Sequence, residues 1–380
     1  MRVVHIIKVT RISGAERHLL MLLQGLREQG IDAHFIILIQ PDNPMDDMIA
    51  EATQRGIPIQ SVIIYRHYDL TVVWRIRAML HELQPDIVHT HLIHADLYGW
   101  LGAKLAWVKT IIASRHNDDN FRYHPITRLV SRVMWWLTDG GIAISSAIKS
   151  FVVNVEGARA DKVDVVRYGM DYCWIPDAEI AAVYHSLRDE LGLSQNTVIL
   201  GMVNRLVEQK GIPYALQAFQ VILSQFPDVH LVIAGDGDGA TTLRKQADHL
   251  GISSNVHWLG WRSDAQALMG AFDVFLLPSL WEGFGLVLLE AMARRLPIVA
   301  SSVSAIPEVV AHGENGLLIP PRDVDALVDA IQVLLHDRPL RKHMGLLGDD
   351  RLETVFHVQQ MIQATISVYE KRIKPRKHDK

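Results

Sequence analysis

The chain has 380 residues, of which 49% are apolar and 21% charged, with a formal net charge of −4. That length is more than one hydrophobic core usually serves, so two domains of roughly 150–200 residues are predicted, and the mildly acidic balance gives no sign of a nucleic-acid binder. Its single cysteine, Cys173, excludes an internal disulfide and points to a reducing, cytoplasmic setting; no run of about 18 uncharged apolar residues suggests a spanning helix.

In chain order the pattern is strand, loop, helix, repeated. Val3–Val9 is apolar and β-branched and has no cleavage-site signature, so it reads as a buried first strand and not a signal peptide. The turn Ser13-Gly14-Ala15 precedes a helical pattern through Leu19, Leu20, Leu22, Leu23 and Leu26, closed by Gly30. Further strands are predicted at Ala33–Ile39, Ile59–Ile64, Asp86–His89, Thr110–Ser114, Gly141–Ile144 and Val163–Val166. Arg167–Pro176 breaks the rhythm and is the predicted linker, with Cys173 inside it. The alternation restarts with strands at Val198–Val203, Val229–Ala234, Val256–Leu259, Val274–Leu277, Ile298–Ala300 and Leu317–Ile319. A helix without a following strand is predicted over Glu353–Ile373, and a basic tail follows it. Apolar strands alternating with helices argue for two parallel sheets, each covered on both faces, with ligand crevices at the strands' carboxyl ends.

Four loops at predicted strand ends carry polar chemistry. In Gly201–Gly211, Arg205 and Lys210 flank a helix start and suit a diphosphate; two solvated surface cations are the alternative. Ala234-Gly-Asp-Gly-Asp-Gly239 offers glycines that let a ligand approach the backbone. Its Asp236 and Asp238 match an Asp-x-Asp metal pattern only weakly, and a solvated turn is the better reading. Pro278–Ala293 is the most specific segment. Glu282 lies in its glycine-flanked loop, and Glu290 lies in an apolar helix where a carboxylate needs a partner, such as a sugar or ribose diol. Amides of Gly283–Leu286 could serve phosphate oxygens; a capping glutamate and an internal salt bridge are the alternative. Thr10–Arg17 is a small-residue turn that could bring backbone near a phosphate.

Among 19 histidines, His89, His91 and His94 cluster near one strand end, without an obvious carboxylate or cysteine to complete a metal site. His116 follows the fifth strand and is read either as facing a crevice or as a buried, hydrogen-bonded histidine. Gly99–Thr138 mixes Lys104, Lys109, Arg115, Arg122, Arg128 and Arg132 with Trp100, Trp107, Trp135 and Trp136, a pattern suited to an anionic membrane surface or a lipid-linked acceptor; core tryptophans are the alternative.

Taken together, SGAERHLL (13–20), PDIVHTH (85–91), NRLVEQKG (204–211), AGDG (234–237), VHWLGW (256–261), PSLWEGFGLVLLEAMA (278–293) and ENGLLIPP (314–321) resemble glycosyltransferase family 4, retaining enzymes of GT-B architecture. The resemblance implies an α/β fold of two facing Rossmann-like domains: an acceptor-side domain over 1–172, a nucleotide-sugar domain over 173–352, and a final helix and tail over 353–380 crossing back to the first domain.

It further implies that Arg205 and Lys210 bind the donor diphosphate, that Glu290 binds the ribose, and that Glu282 contacts the transferred sugar beside the amides of Gly283, Phe284, Gly285 and Leu286. Gly14 would lie beside the phosphates, backbone around Trp258 and Gly260 would hold the base, and His116 would face the sugar and assist the reaction. The implied activity is transfer, with anomeric retention, of a sugar from a nucleotide-sugar, UDP-linked by family frequency. The acceptor would be a glycan or lipid-linked glycan in cell-surface polysaccharide or glycolipid synthesis. No metal or other cofactor is expected, and the membrane contact would be peripheral, at the inner face of the plasma membrane. A sugar-nucleotide epimerase and a non-catalytic binding subunit are the competing readings. The sequence departs from the family pattern at Ser13, Asn204, Tyr168, Arg294-Arg295 and Ser304-Ala305, the last pair being near the donor sugar.

Overall fold

In the computed structural model, the described residues are 1–12, 14–66, 69–118, 120–171, 176–373. Cys173, Ser13 and the basic tail beyond Ile373 lie outside them. The chain divides into two compact units, Met1–Asp171 with His357–Lys380, and Tyr172–Phe356.

The first unit is built on seven strands: β1 (Arg2–Lys8), β2 (Asp32–Ile39), β3 (Ile59–Ile63), β4 (Ile87–His91), β5 (Thr110–Arg115), β6 (Gly140–Ala143) and β7 (Val163–Val165). All pair in parallel, in the order β3-β2-β1-β4-β5-β6-β7. The second unit has six parallel strands: β8 (Val198–Val203), β9 (Val229–Ala234), β10 (Val256–Gly260), β11 (Val274–Leu277), β12 (Ile298–Ser301) and β13 (Gly316–Ile319). Their order is β10-β9-β8-β11-β12-β13. Each predicted strand falls on an observed one, because strands covered on both faces are near-continuous apolar runs that are legible in a sequence.

Both strand orders reverse once, between β1 and β4 in the first unit and between β8 and β11 in the second. At such a switch point the two connecting helices leave on opposite faces and open a crevice beyond the strands' carboxyl ends. In the first unit, cores form on both sheet faces: Val4, Ile6, Leu38 and Val88 lie on one, and Val3, Ile7, Phe35 and Ile37 on the other.

The predicted terminal helix over 353–373 is in fact two. Arg338–Val355 belongs to the second unit and Val358–Arg372 to the first. The break at Phe356-His357 has a local cause: His357 is extended and its Nδ1 accepts from the Gln359 amide, capping the new helix. Met170 bridges to His357, and a Cβ on Gly169 would come within 2.8 Å of the Val358 Cα, so the glycine permits this close approach. The helix Val358–Arg372 then packs on the helix Gly14–Glu28, where a Cβ on Gly25 would meet Ile362 Cδ1 at 2.0 Å.

Candidate donor site and a buried histidine chain

The switch point of the second unit is built from the loops after β8 and β11. Gly211 ends the first loop with φ 62°, and a Cβ there would lie 1.9 Å from the Pro278 carbonyl oxygen. The Leu280 amide donates to the Gln209 carbonyl at 2.7 Å, and Gln209 Nε2 donates to the Trp281 carbonyl at 3.0 Å. Two loops more than sixty residues apart in sequence are thereby joined. Across the join, Lys210 Nζ sits 2.5 Å from Glu282 Oε2, and both side chains are only 11% exposed. The internal salt bridge that was the alternative for this segment is therefore present, and its partner is the lysine of the other predicted motif. Glu282 is held further by Ser279 Oγ at 3.5 Å, and its amide donates to Ser304 Oγ at 3.4 Å.

Arg205 is exposed, and its guanidinium has no ion pair among the described residues. It stays available for an anion. The helices Ile212–Gln225 and Leu286–Ala293 both begin after a left-handed glycine, Gly211 and Gly285, and neither has a side-chain cap. Their positive dipole ends add to the attraction for phosphate. Gly283, Phe284 and Gly285 are buried and Leu286 is half-buried; the Phe284 ring stacks edge-on against Phe356, at 5.9 Å between centroids, as part of the core. Glu290 is half-buried, and its Oε1 accepts from Gln266 Nε2 at 2.8 Å. The partner that an apolar helix demands is thus supplied by the protein itself.

The glycine turn after β9 corrects one expectation. A Cβ on Gly235 would lie 1.8 Å from the Asn204 carbonyl oxygen, and one on Gly237 2.8 Å from that of Leu206. The glycines make room for the neighbouring loop's backbone and not for a ligand. Asp236 and Asp238 are exposed, and Asp236 accepts from the Gly237 amide, as a solvated turn would. At the end of β10, Gly260 (φ 65°) accepts from the Gly235 amide at 2.7 Å and has open space where a Cβ would be. Trp258 is half-buried against the core with Arg244 over its ring, whereas Trp261 is 75% exposed.

The sequence missed Gln209 and Gln266, and it marked Ser304 only as a departure from the family pattern, with no partner for it. Ser304 had a signal: it stands where a glycine is common, and the structure holds it at φ 46°.

In the first unit Gly14 is exposed at the start of its helix. His116 follows β5 as expected, yet it is 5% exposed and both ring nitrogens are engaged: Nε2 to His91 Nδ1 at 3.0 Å and Nδ1 to the Tyr168 hydroxyl at 2.5 Å. The buried, hydrogen-bonded alternative describes its placement. His91 Nε2 meets His5 Nδ1 at 3.0 Å; His5 Nε2 meets the Tyr369 hydroxyl at 3.0 Å; that hydroxyl meets His89 Nδ1 at 2.7 Å; and His89 Nε2 meets Ser114 Oγ at 2.7 Å. Burial pushes His5 and His116 down to about 3, the latter helped by Arg115, and holds His18, His89 and His91 well below the usual histidine range. All five are neutral at pH 7.

Among the described residues, the group close enough to hold an ion is His5, His89 and His91, with ligand atoms within 4.8 Å of one another. His94, on the helix after β4, is not part of it.

The basic tryptophan-rich stretch also divides. Arg115 pairs with Asp96 and Glu156, Arg122 pairs with Glu156, and Trp135 donates to Glu156, all buried. Those two arginines are internal and cannot serve a surface, because two buried acids claim them. Trp100 is half-buried, but Trp107 and Trp136 are 88% and 77% exposed. No helix among the described residues is long and apolar enough to cross a membrane.

Comparison with known proteins agrees with this fold. The family model described as Glycosyl transferases group 1 matches residues 184–348, and that described as Glycosyltransferase Family 4 matches 12–172. The chain is 27% identical over 365 residues to the capsular polysaccharide biosynthesis glycosyltransferase CapM of Staphylococcus aureus, covering 91% of this chain and 92% of the relative. It is 27% identical over 353 residues, 89% of each chain, to the Escherichia coli UDP-Gal:alpha-D-GlcNAc-diphosphoundecaprenol alpha-1,3-galactosyltransferase. Its fold is similar to that of Anabaena Alr3699/HepE, solved in complex with UDP and glucose, with a TM-score of 0.83 and 22% identity over 97% of this chain and 99% of the other. With two Rossmann-like parallel sheets, each carrying its own family signature, this chain belongs to glycosyltransferase family 4 and is a glycosyltransferase of the GT-B type.

Proposed function

We propose that the chain moves a sugar from a UDP-sugar to a glycan or lipid-linked glycan acceptor, with retention at the anomeric carbon, in the assembly of a cell-surface polysaccharide or glycolipid. The observation that carries the donor half is the Lys210–Glu282 pair at the switch point of the second sheet, with the exposed Arg205, which has no ion pair among the described residues, in the same loop as Lys210. Arg205 and Lys210 neutralise the leaving diphosphate, whose negative charge grows in the transition state, and the two uncapped helix starts add to this. With these cations in place the site needs no divalent metal. Glu282, released from Lys210 by the incoming phosphate, accepts from hydroxyls of the transferred sugar. Glu290, steadied by Gln266, accepts from the ribose, and backbone near Trp258 and Gly260 holds the base. A phosphate oxygen of the leaving group takes the acceptor's proton on the face it departs from. The UDP named for HepE and the UDP-Gal named for the E. coli relative support the choice of nucleotide, and the lipid-linked acceptor in the latter's name supports the choice of acceptor.

On the acceptor side, the helix Pro125–Leu137 lines up Ile126, Leu129, Val130, Val133 and Trp136, all exposed, at helical spacing on one face, with exposed Arg132 beside them. A stripe of large apolar side chains edged by a cation fits the headgroup layer of an anionic membrane, where a lipid-linked acceptor resides.

The direct test is thermal stabilisation by UDP, GDP and ADP in the presence of a chelator, for the wild type and Glu290→Ala. A ligand at a hundred times its Kd adds about 2.7 kcal/mol to the folded state. A shift with UDP alone, lost in the variant, is expected; equal shifts with all three, or none, would overturn the donor assignment. Product anomeric configuration by NMR then checks retention.

A further inference from the structure

Ser114, His89, Tyr369, His5, His91, His116 and Tyr168 form one unbroken hydrogen-bonded chain at the switch point of the first sheet. All seven residues are 5% exposed or less. They come from β1, β4, β5 and the residue after it, the stretch after β7 and the terminal helix, so the chain exists only in the folded unit. A neutral imidazole has one donor and one acceptor nitrogen, and a phenol has one proton. Every histidine in the chain uses both nitrogens, so a proton on one side of any ring dictates the next ring's tautomer.

We propose that Tyr369 is a positioning residue: its hydroxyl, carried by the helix Val358–Arg372, sets the tautomer of His116 through His5 and His91. Only two arrangements satisfy every member. If Tyr369 donates to His5, then His5, His91 and His116 each carry the proton on Nδ1 and His116 donates to Tyr168. His89 then also carries Nδ1–H, donates to Tyr369 and accepts from Ser114. If Tyr369 donates to His89, all four rings carry Nε2–H and Tyr168 donates to His116. One hydroxyl rotation therefore commits four histidines together. Burial keeps the rings neutral and so keeps the rule in force. A metal on His5, His89 and His91 is the competing use of the same nitrogens. It is less suited here because every one of those nitrogens already has a partner, and a coordinated His5 could not bond to both Tyr369 and His91.

The tautomer rule rests on the geometry alone; its catalytic consequence rests on the proposed transfer reaction. The experiment is nitrogen NMR of histidine-labelled full-length protein, which separates protonated from unprotonated ring nitrogens. In the wild type His5, His89, His91 and His116 are expected to share one tautomer. Any unlike pair overturns the chain, as does one zinc ion bound per molecule that shifts His5, His89 and His91 together. In Tyr369→Phe the His116 tautomer is expected to switch or to become a mixture; an unchanged single tautomer would give control to Tyr168 and overturn the assignment of Tyr369. Should Tyr369→Phe fail to fold, Ser114→Ala tests the same order from the far end: His89 is expected to keep the tautomer of the other three, because Tyr369 still joins it to His5, and a His89 that departs alone would overturn the assignment of Tyr369. Kinetics separates the two layers. A kcat lowered about tenfold with donor KM unchanged links the chain to turnover; matched tautomers with unchanged kcat sustain the rule and remove any link to turnover.

Discussion

Lys210 and Glu282 lie 72 residues apart in sequence and 2.5 Å apart in space, each 11% exposed. With no donor present each satisfies the other's charge. In the proposed reaction a diphosphate takes the lysine from the glutamate, and the freed glutamate then turns to the sugar.

That exchange makes the two residues separable. Lys210→Ala is expected to weaken UDP binding and lower turnover by about a hundredfold, the usual cost of one transition-state charge partner. Glu282→Gln is expected to lower turnover by a similar factor while UDP binds as well or better, because the lysine no longer has a competitor. Calorimetry with UDP beside initial rates checks this, and parallel losses of UDP affinity in both variants would refute the exchange.

Gly211 lets the loops after β8 and β11 press together. Gly211→Ala is expected to cost more than about 1 kcal/mol, since a left-handed position is strained by any Cβ and this one would strike the Pro278 carbonyl. Gly192 (φ 65°) has nothing within 4 Å, so Gly192→Ala carries the backbone strain alone. Urea unfolding of the two variants isolates the close approach. Equal costs would mean that the loops are not pressed together.

The buried histidines make stability depend on pH. Their folded-state pKa values lie below the unfolded value of 6.5, so the unfolded chain binds more protons as the pH falls. Their contribution is complete above pH 6.5 and is lost progressively towards pH 3, at up to about 1.4 kcal/mol per pH unit for each histidine. Unfolding free energies at pH 7.5, 6.5 and 5.5 should fall steeply over the last interval, and His116→Asn should flatten the slope. A flat wild-type profile would contradict the burial of these rings.

Trp136 and Leu129 are 77% and 64% exposed on one helix face. Burying one large apolar side chain contributes about 1.5–3 kcal/mol, so Leu129→Ser with Trp136→Ser is expected to reduce sedimentation with anionic vesicles by more than about tenfold. Transfer to a short soluble acceptor should be unchanged. Wild-type protein that ignores the vesicles would remove the membrane reading.

Much of this was legible in the residues themselves. Strand positions follow from apolar runs, helix starts from glycine and proline, and the polar loops from their place at strand ends, all of which are local signals within a dozen residues. Local pattern also marked Arg205, Lys210, Glu282 and Glu290. It did not show that Glu282 belongs to Lys210 or Glu290 to Gln266, nor that Arg115 and Arg122 are claimed by Asp96 and Glu156 and so lost to the surface.

The sequence by itself determined two parallel α/β sheets and the loops that border their crevices, because the alternation of buried strand and amphipathic helix is written in nearest neighbours. Only the tertiary structure decided the strand order, hence where each crevice opens, and which distant side chains share it. His5, His91, His116, Tyr168 and Tyr369 become one chain because β1 and β4 are adjacent in the sheet and the last helix returns to it. Hydrogen bonds between residues up to 364 positions apart are fixed by packing and register, and no local propensity encodes them.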